Sequence, residues 1–367
     1  MQYSFIAKLL LRAGSNWFKI HPNNVDHLRF SSVREISSLR EHLLERFRAI
    51  KSCLRLALGA KELGWFYSKL KNEYSRELLL DLLAYRALGY TRVKLPLNKD
   101  AYWRAVKSID QDLQTKTVTG EFRALGPLHE YDLAPCDFPI RIQAHPLNIL
   151  NTFLLQQYRL TSAPNIIEAE AGDVVIDAGA CWGDTALYFA HKVGPDGAVY
   201  AYEFEPSNLQ CFRKNMAMNA DLANIVHLQE YAVWSKASEV LEFSALGSAS
   251  RLVSPNDSID GNTTSVNTDT IDELVVRESI KKVNYIKMDI EGAELDALRG
   301  AEQTIRKFTP KLAISIYHNN QHYWQIAQYI DSLNLGYEFY IDHYTIHLEE
   351  VMLFAQVSGT NRILLAH

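Results

Sequence analysis

Val174-Val175-Ile176-Asp177-Ala178-Gly179-Ala180-Cys181-Trp182-Gly183-Asp184-Thr185 is the stretch on which the fold turns. Its apolar run ends in a carboxylate, passes through two glycines and opens into residues 184–190, whose apolar positions have helical spacing. This predicts a strand, a tight loop and a helix start. Gly179 and Gly183 leave room for a ligand against the backbone. Asp177, at the carboxyl end of the strand, faces the crevice where open α/β sheets bind ligands. The expectation is a nucleotide-type pocket.

A second strand is expected over 198–204, followed by Glu205-Pro206. In Rossmann-like units an acid at that place accepts hydrogen bonds from the ribose hydroxyls, which makes Glu205 the expected ribose ligand. Dinucleotide sites read Gly-x-Gly-x-x-Gly with no acid two residues ahead, whereas this loop reads Asp177-x-Gly179-x-x-x-Gly183. A carboxylate so placed repels a diphosphate and suits the cationic amino-acid end of S-adenosylmethionine. The loop therefore favours a methyl donor over a dinucleotide.

With these residues placed, the chain resembles the FkbM family of S-adenosylmethionine-dependent methyltransferases. The likeness is carried by Val-Ile-Asp-Ala-Gly-Ala at 175–180, Ala-Tyr-Glu-Phe-Glu-Pro at 201–206 and Tyr-Ile-Lys-Met-Asp-Ile-Glu-Gly-Ala-Glu at 285–294, within residues 165–357. The third block is the most specific. The resemblance implies S-adenosylmethionine as cofactor and O-methylation of a hydroxyl on a small-molecule or glycan acceptor, such as a sugar or secondary metabolite. It makes Asp177, Gly179, Ala180, Gly183, Asp184, Thr185 and Glu205 the expected donor site. Ala232, after a third strand, is where related folds place the adenine ring, and it is small enough for the ring to stack, although Tyr231 and Trp234 beside it equally suit a core.

Asp289 ends the strand expected over 283–288, and His318 follows the strand over 312–317, so both lie at the sheet edge that carries Asp177. Methyl transfer to a hydroxyl needs the acceptor oxygen aligned and its proton removed, and histidine has a suitable pKa. His318 is the expected base, with Asp289 positioning acceptor or donor; a strand-end histidine bonded to a loop is the plainer alternative. Asp289, Glu291 and Glu294 are oxygen ligands able to hold a divalent cation with His318 or Asn319. Glu294 equally suits a helix start, where acids complement the dipole. The cap is preferred for Glu294 and metal stays open. Lys287 shares a strand face with Asp289, giving scope for a structural pair.

The turn after this strand reads Asp289-Ile290-Glu291-Gly292 rather than the Asn/Asp-Pro-Pro-aromatic turn of nitrogen methylators, which favours oxygen. Tyr317, Tyr323 and Trp324 are candidates to stack on a sugar ring, or else helix packing. Cys181 has no second cysteine near it in sequence and reads as inert.

The chain has 367 residues, 47% of them hydrophobic, enough for a large core. Two regions are expected: a mainly helical 1–165 with a loop-rich connector, and 166–367 as a Rossmann-like class I methyltransferase sheet with helices on both faces. Residues 1–150 carry 23 Lys and Arg against 15 Asp and Glu, a net +8, while the remainder carries 15 against 28, a net −13. The basic half suits an anionic partner or, more plainly, a solvated helical surface. The four cysteines form no Cys-x-x-Cys pair, which fits a reducing cytoplasm.

Lys8 interrupts the apolar 5–11 stretch, and no run reaches the ~20 apolar residues of a bilayer span. A transmembrane segment and a DNA partner are not expected; peripheral membrane contact by the amphipathic start, and homo-oligomers, stay open. The rival readings are a non-catalytic S-adenosylmethionine-binding or scaffold protein, and an RNA methyltransferase using the basic half.

Amphipathic helices are expected over 37–59 and 75–88, the latter closed by Gly89, with a strand over 138–144 and a helix over 148–158. Ser207 and Thr270 are expected N-caps, 238–268 a hairpin excursion, and 337–341 with 351–355 a final strand pair.

Overall fold

The computed structural model describes residues 2–21, 24–30, 51–52, 58–118, 127–244, 251–252 and 263–358. The amphipathic α1 (Gln2–Asn16) is followed by α2 (Ala60–Lys69), α3 (Glu73–Leu88) and α4 (Asp100–Ser108). The helix expected over 37–59 lies almost wholly outside the described residues. α3 begins a little ahead of the expected Ser75, because the Asn72 side chain accepts from the Ser75 amide at 2.9 Å, and it stops at Gly89, whose φ is +83°. α1 lays Phe5 into the core, and Arg12 reaches Glu77 and Asp81 on α3. That face of the amphipathic start is thus spent on packing.

β1 (Gln114–Val118), β2 (Leu128–Asp132) and β3 (Arg141–Ala144) form a small antiparallel sheet. The segment expected as a helix over 148–158 is instead a short turn, Pro146–Asn148, running into a π-helical Ile149–Leu154. π-helical turns recur at functional sites. This one puts Asn148, Asn151 and Thr152 on one cavity wall.

The main sheet then builds through β4 (Val174–Ala178), α5 (Asp184–Val193), β5 (Ala198–Tyr202), α6 (Pro206–Met218) and β6 (Val226–Gln229). An excursion follows, made of β7 (Ala232–Val233), β8 (Val240–Ser244), β9 (Arg251–Leu252) and β10 (Thr263–Asp269), in the order β7-β10-β8-β9. It contains the expected hairpin; Gly247 and Gly261 lie outside the described residues. α7 (Ile271–Arg277) is capped as expected by Thr270, whose hydroxyl accepts from the Glu273 amide at 3.0 Å. β11 (Tyr285–Met288), α8 (Glu294–Arg299), α9 (Glu302–Phe308), β12 (Lys311–Ser315), α10 (His322–Ser332), β13 (Tyr337–His343) and β14 (Val351–Val357) complete the chain.

The seven strands lie in the order β13-β14-β12-β11-β4-β5-β6. From β12 to β6 they are parallel, and β14 runs antiparallel to β12 and β13. This is the class I methyltransferase arrangement. The order reverses direction between β4 and β11, so the crevice opens over their carboxyl ends. Their register sets Lys287 opposite Asp177, and the Asp289 amide donates to Ala178 O at 3.1 Å.

Thr270 keeps its expected cap, but Ser207 does not. Pro206 is the first residue of α6, so Glu205 is the cap, and its carboxylate accepts from the Asn208 amide at 2.7 Å and from the Ser207 hydroxyl. The hydrophobic core crosses residue 165: Phe5, Leu79 and Leu83 share one cluster with Ile286, Leu312 and Phe339. Ser75 Oγ donates to Ile341 O at 3.1 Å and the Lys71 amide to Phe339 O at 3.0 Å, tying α3 to the sheet edge. Among the described residues no helix is long and apolar enough to cross a membrane.

Candidate active site

The glycine loop after β4 is shaped by protein contacts. Gly179 has φ +88°, and a Cβ there would lie 2.0 Å from the Asp289 carbonyl oxygen; at Gly183, φ +85°, it would lie 2.7 Å from Met216 Cε. The loop thus needs Gly179 where β4 and β11 splay, and Gly183 where α5 meets α6. Gly179→Ala is expected to cost at least about 1–3 kcal/mol in urea unfolding, because the clash is with backbone.

Asp177 does not face the crevice. It is fully buried, pairs with Lys287 Nζ at 3.0 Å and accepts from Thr185 Oγ1 at 2.6 Å. Burial lowers the Lys287 pKa, but Asp177, Asp289 and Asp184 outweigh it and the ammonium is held above its ordinary value. Lys287 Nζ also donates to Gly179 O at 2.7 Å, so the pair locks the loop. Ala180 is likewise in the core, and it, Asp177 and Gly183 line neither cavity described next.

Two cavities meet over β4 and β11. The first, about 580 Å³, is walled by Glu203, Phe204, Tyr231 and Ala232. The second, about 1000 Å³, is walled by Arg29, Asn151, Asp184, Thr185, Lys287 and Glu349 among others. Gly179, Cys181, Asp289 and Glu291 belong to both. Tyr317 lines the second cavity, whereas Tyr323 and Trp324 line neither, Tyr323 being buried beneath the Arg86 guanidinium.

Glu203, not Glu205, is the acid on the first wall, since Glu205 is turned into its own helix cap. Glu203 Oε1 accepts from the Phe204 and Glu205 amides at 2.7 and 2.8 Å, and burial pushes its pKa up to about 7. In the second cavity Asp184 Oδ2 accepts from Thr152 Oγ1 at 2.9 Å and Asn148 Nδ2 at 3.2 Å. Its Oδ1 has no hydrogen-bond partner among the described residues. Tyr158 donates to Asp289 Oδ2 at 3.3 Å, and burial holds the Cys181 thiol protonated, as its inert reading requires.

His318 lies behind this wall and lines neither cavity. Its Nδ1 is 2.8 Å from Glu294 Oε1, and its Nε2 lies 3.4 Å from Glu291 and 3.6 Å from Asp289. Burial lowers the imidazole pKa, but Glu294, Asp289 and Glu291 overcome it and raise it to about 10. A ring held protonated has no lone pair to accept a proton, and this direction of shift weighs against the expected base role. Glu291 shows the converse: burial raises it, His318 lowers it and Asp289 raises it again, to about 7.

Asp289, Glu294 and His318 each bring a ligand-type atom within 4.8 Å of the others. Glu294 Oε1, however, already accepts from the Ile290 and Gly292 amides at 3.1 and 3.2 Å besides His318 Nδ1. It thus holds the turn ahead of α8 rather than the free amides of that helix's own first turn, which carry no side-chain cap among the described residues. Asn319 is exposed and accepts from the Gln321 amide instead.

Residues 177–339 match the model of the methyltransferase FkbM domain. This part of the chain is an FkbM methyltransferase domain. A crystal structure of methyltransferase FkbM from Methylobacillus flagellatus KT superposes with a TM-score of 0.50 at 16% identity, covering 82% of this chain and 60% of that one. The chain thus spans 60% of the length of that relative. Aeropyrum pernix fibrillarin with natively bound S-adenosyl-L-methionine gives a TM-score of 0.34 at 11% identity, covering 66% of this chain and 98% of its own. Precorrin-6y C5,15-methyltransferase from Geobacter metallireducens GS-15 gives 0.35 at 13% identity, covering 58% and 88%. These two likenesses are too loose to bear on chemistry. No curated protein sequence matches the chain. The FkbM domain contains every residue of the first cavity, but the second also draws on Arg29, Asn151 and Glu349 outside it.

Proposed function

We propose that the chain is an S-adenosylmethionine-dependent O-methyltransferase acting on a hydroxyl of a sugar, glycan or secondary metabolite. The observation that carries this reading is the pair of cavities joined at Gly179, Cys181, Asp289 and Glu291. One suits an adenosine: Glu203 would accept from the ribose hydroxyls, and Ala232 leaves a flat apolar wall for adenine. Asp184 Oδ1, buried and unpartnered among the described residues, suits the donor's ammonium, the role first given to Asp177. The donor supplies an electrophilic methyl group. Asp289 and Tyr158 position the acceptor, and Glu291 takes the hydroxyl proton on its carboxylate. His318, held cationic, keeps Glu291 and Asp289 in place without touching the reactants.

Calorimetric titration with S-adenosylhomocysteine tests the donor site. Glu203→Gln is expected to weaken binding by about tenfold or more, the worth of a charge-assisted hydrogen bond. Glu205→Ala should leave the Kd unchanged and cost about 1 kcal/mol of stability through its lost cap. No saturable binding by the folded wild type would sink the proposal, and the reverse ranking of the two variants would restore Glu205 as the ribose ligand.

A further inference from the structure

The second cavity has a one-sided chemistry. Its Arg and Lys side chains both stand beside carboxylates: Arg29 Nη2 is 2.9 Å from Glu350 Oε1, and Lys287 is 3.0 Å from Asp177 Oδ1; His145 also lies on the wall. Gln157 Nε2 adds a hydrogen bond to the other Glu350 oxygen at 2.9 Å, so that carboxylate is fully engaged. Asp289, Glu291 and Glu349 remain on the wall, beside Asp184, which is given above to the donor's ammonium. His318 behind Asp289 and Glu291 compensates part of that charge.

The hydrogen-bonding inventory leans the same way. Asn151 Oδ1, on a residue 7% exposed, and Glu349 Oε2 have no hydrogen-bond partner among the described residues. Both are acceptors, and a buried acceptor left unmet is costly. Among the described residues Arg29 Nε is the one buried donor left unmet on the wall, so a ligand here must bring mainly donors, and a negative charge would meet several carboxylates with no Lys or Arg that lacks a carboxylate partner to offset it.

Resting on the methyl-transfer reading, we infer that this cavity takes an acceptor with no anionic group, one that presents a protonated amine beside its hydroxyls. Asn151 receives a hydroxyl, Glu349 receives the ammonium, and Arg29 holds Glu350 out of the way. Phosphorylated sugars and RNA are excluded by the same wall. The basic N-terminal half does not change this, because Arg29, the one Lys or Arg it sends into the cavity, is paired with Glu350.

The test begins with the S-adenosylhomocysteine titration, whose failure counts against the methyl-transfer reading alone. Glucosamine, methyl glucoside and glucose 6-phosphate are then titrated as probes, with and without S-adenosylhomocysteine, at a pH where the glucosamine amine is protonated. Glucosamine is expected to bind about tenfold more tightly than methyl glucoside, with glucose 6-phosphate not binding. Glu349→Gln should remove most of the amine preference, and Asn151→Asp should increase it. Glucose 6-phosphate binding as tightly as glucosamine, or glucosamine not binding under either condition, would overturn the inference.

Discussion

Glu291→Gln is expected to slow methyl transfer by about 10²–10⁴-fold, the range for loss of a positioned general base, with S-adenosylhomocysteine affinity unchanged. The side chain borders both cavities, where a reacting hydroxyl and a methyl group would meet. Its backbone sits at φ +54°, a left-handed conformation that L residues avoid, followed by Gly292 at φ +105°. Strain of this sort costs of order 1–3 kcal/mol and persists where the surroundings impose it, often at functional sites. A carboxylate with a pKa of about 7 loses its proton near neutrality and still has a useful affinity for one. The wild-type rate should accordingly rise with pH through about 7, and that limb should vanish in the variant. Single-turnover formation of S-adenosylhomocysteine with an accepted hydroxyl compound measures both. A variant with the wild-type rate and pH profile would remove Glu291 from the chemistry.

The alternation of strand and helix was legible because each strand of the parallel sheet is an apolar run ending at a loop, and Thr270 and Gly89 mark their helix ends by local chemistry. The site was only partly so. Asp177 sits where the motif requires, but its direction depends on the register of β4 against β11, which sets Lys287 opposite it, and strand pairing is not written in local spacing. Glu203 and Glu205 are two acids with only Phe204 between them, and the signal that separates them is Pro206: at the first helical position it makes the residue before it the cap, which consumes Glu205. Nothing local announces that Arg29 and Glu349 approach the same cavity, since they are brought there by contacts between segments far apart in sequence, the Asp26 amide on His347 and Arg29 on Glu350.

His318→Gln should act on stability far more than on proton transfer. In the wild type the ring stands among Glu294, Glu291 and Asp289, with a side chain only 8% exposed. Removing one partner of a buried ionic group leaves charge uncompensated and typically costs about 3–5 kcal/mol. The pH dependence distinguishes this from a base role. The folded-state pKa is raised from 6.5 to about 10, so protonation stabilises the fold in full below about 6.5, and this stabilisation is lost as pH rises through about 10. Wild-type unfolding free energy should therefore decline across that window, while the variant, which has no such proton to lose, lacks this decline. Urea denaturation at several pH values measures the difference. Equal stability of the two proteins at neutral pH, together with loss of turnover in His318→Gln, would return His318 to the role of base. The physical basis for expecting otherwise is the count of carboxylates around it: one acid beside a histidine tunes a base, whereas three convert it into a fixed cation that holds the acids in place.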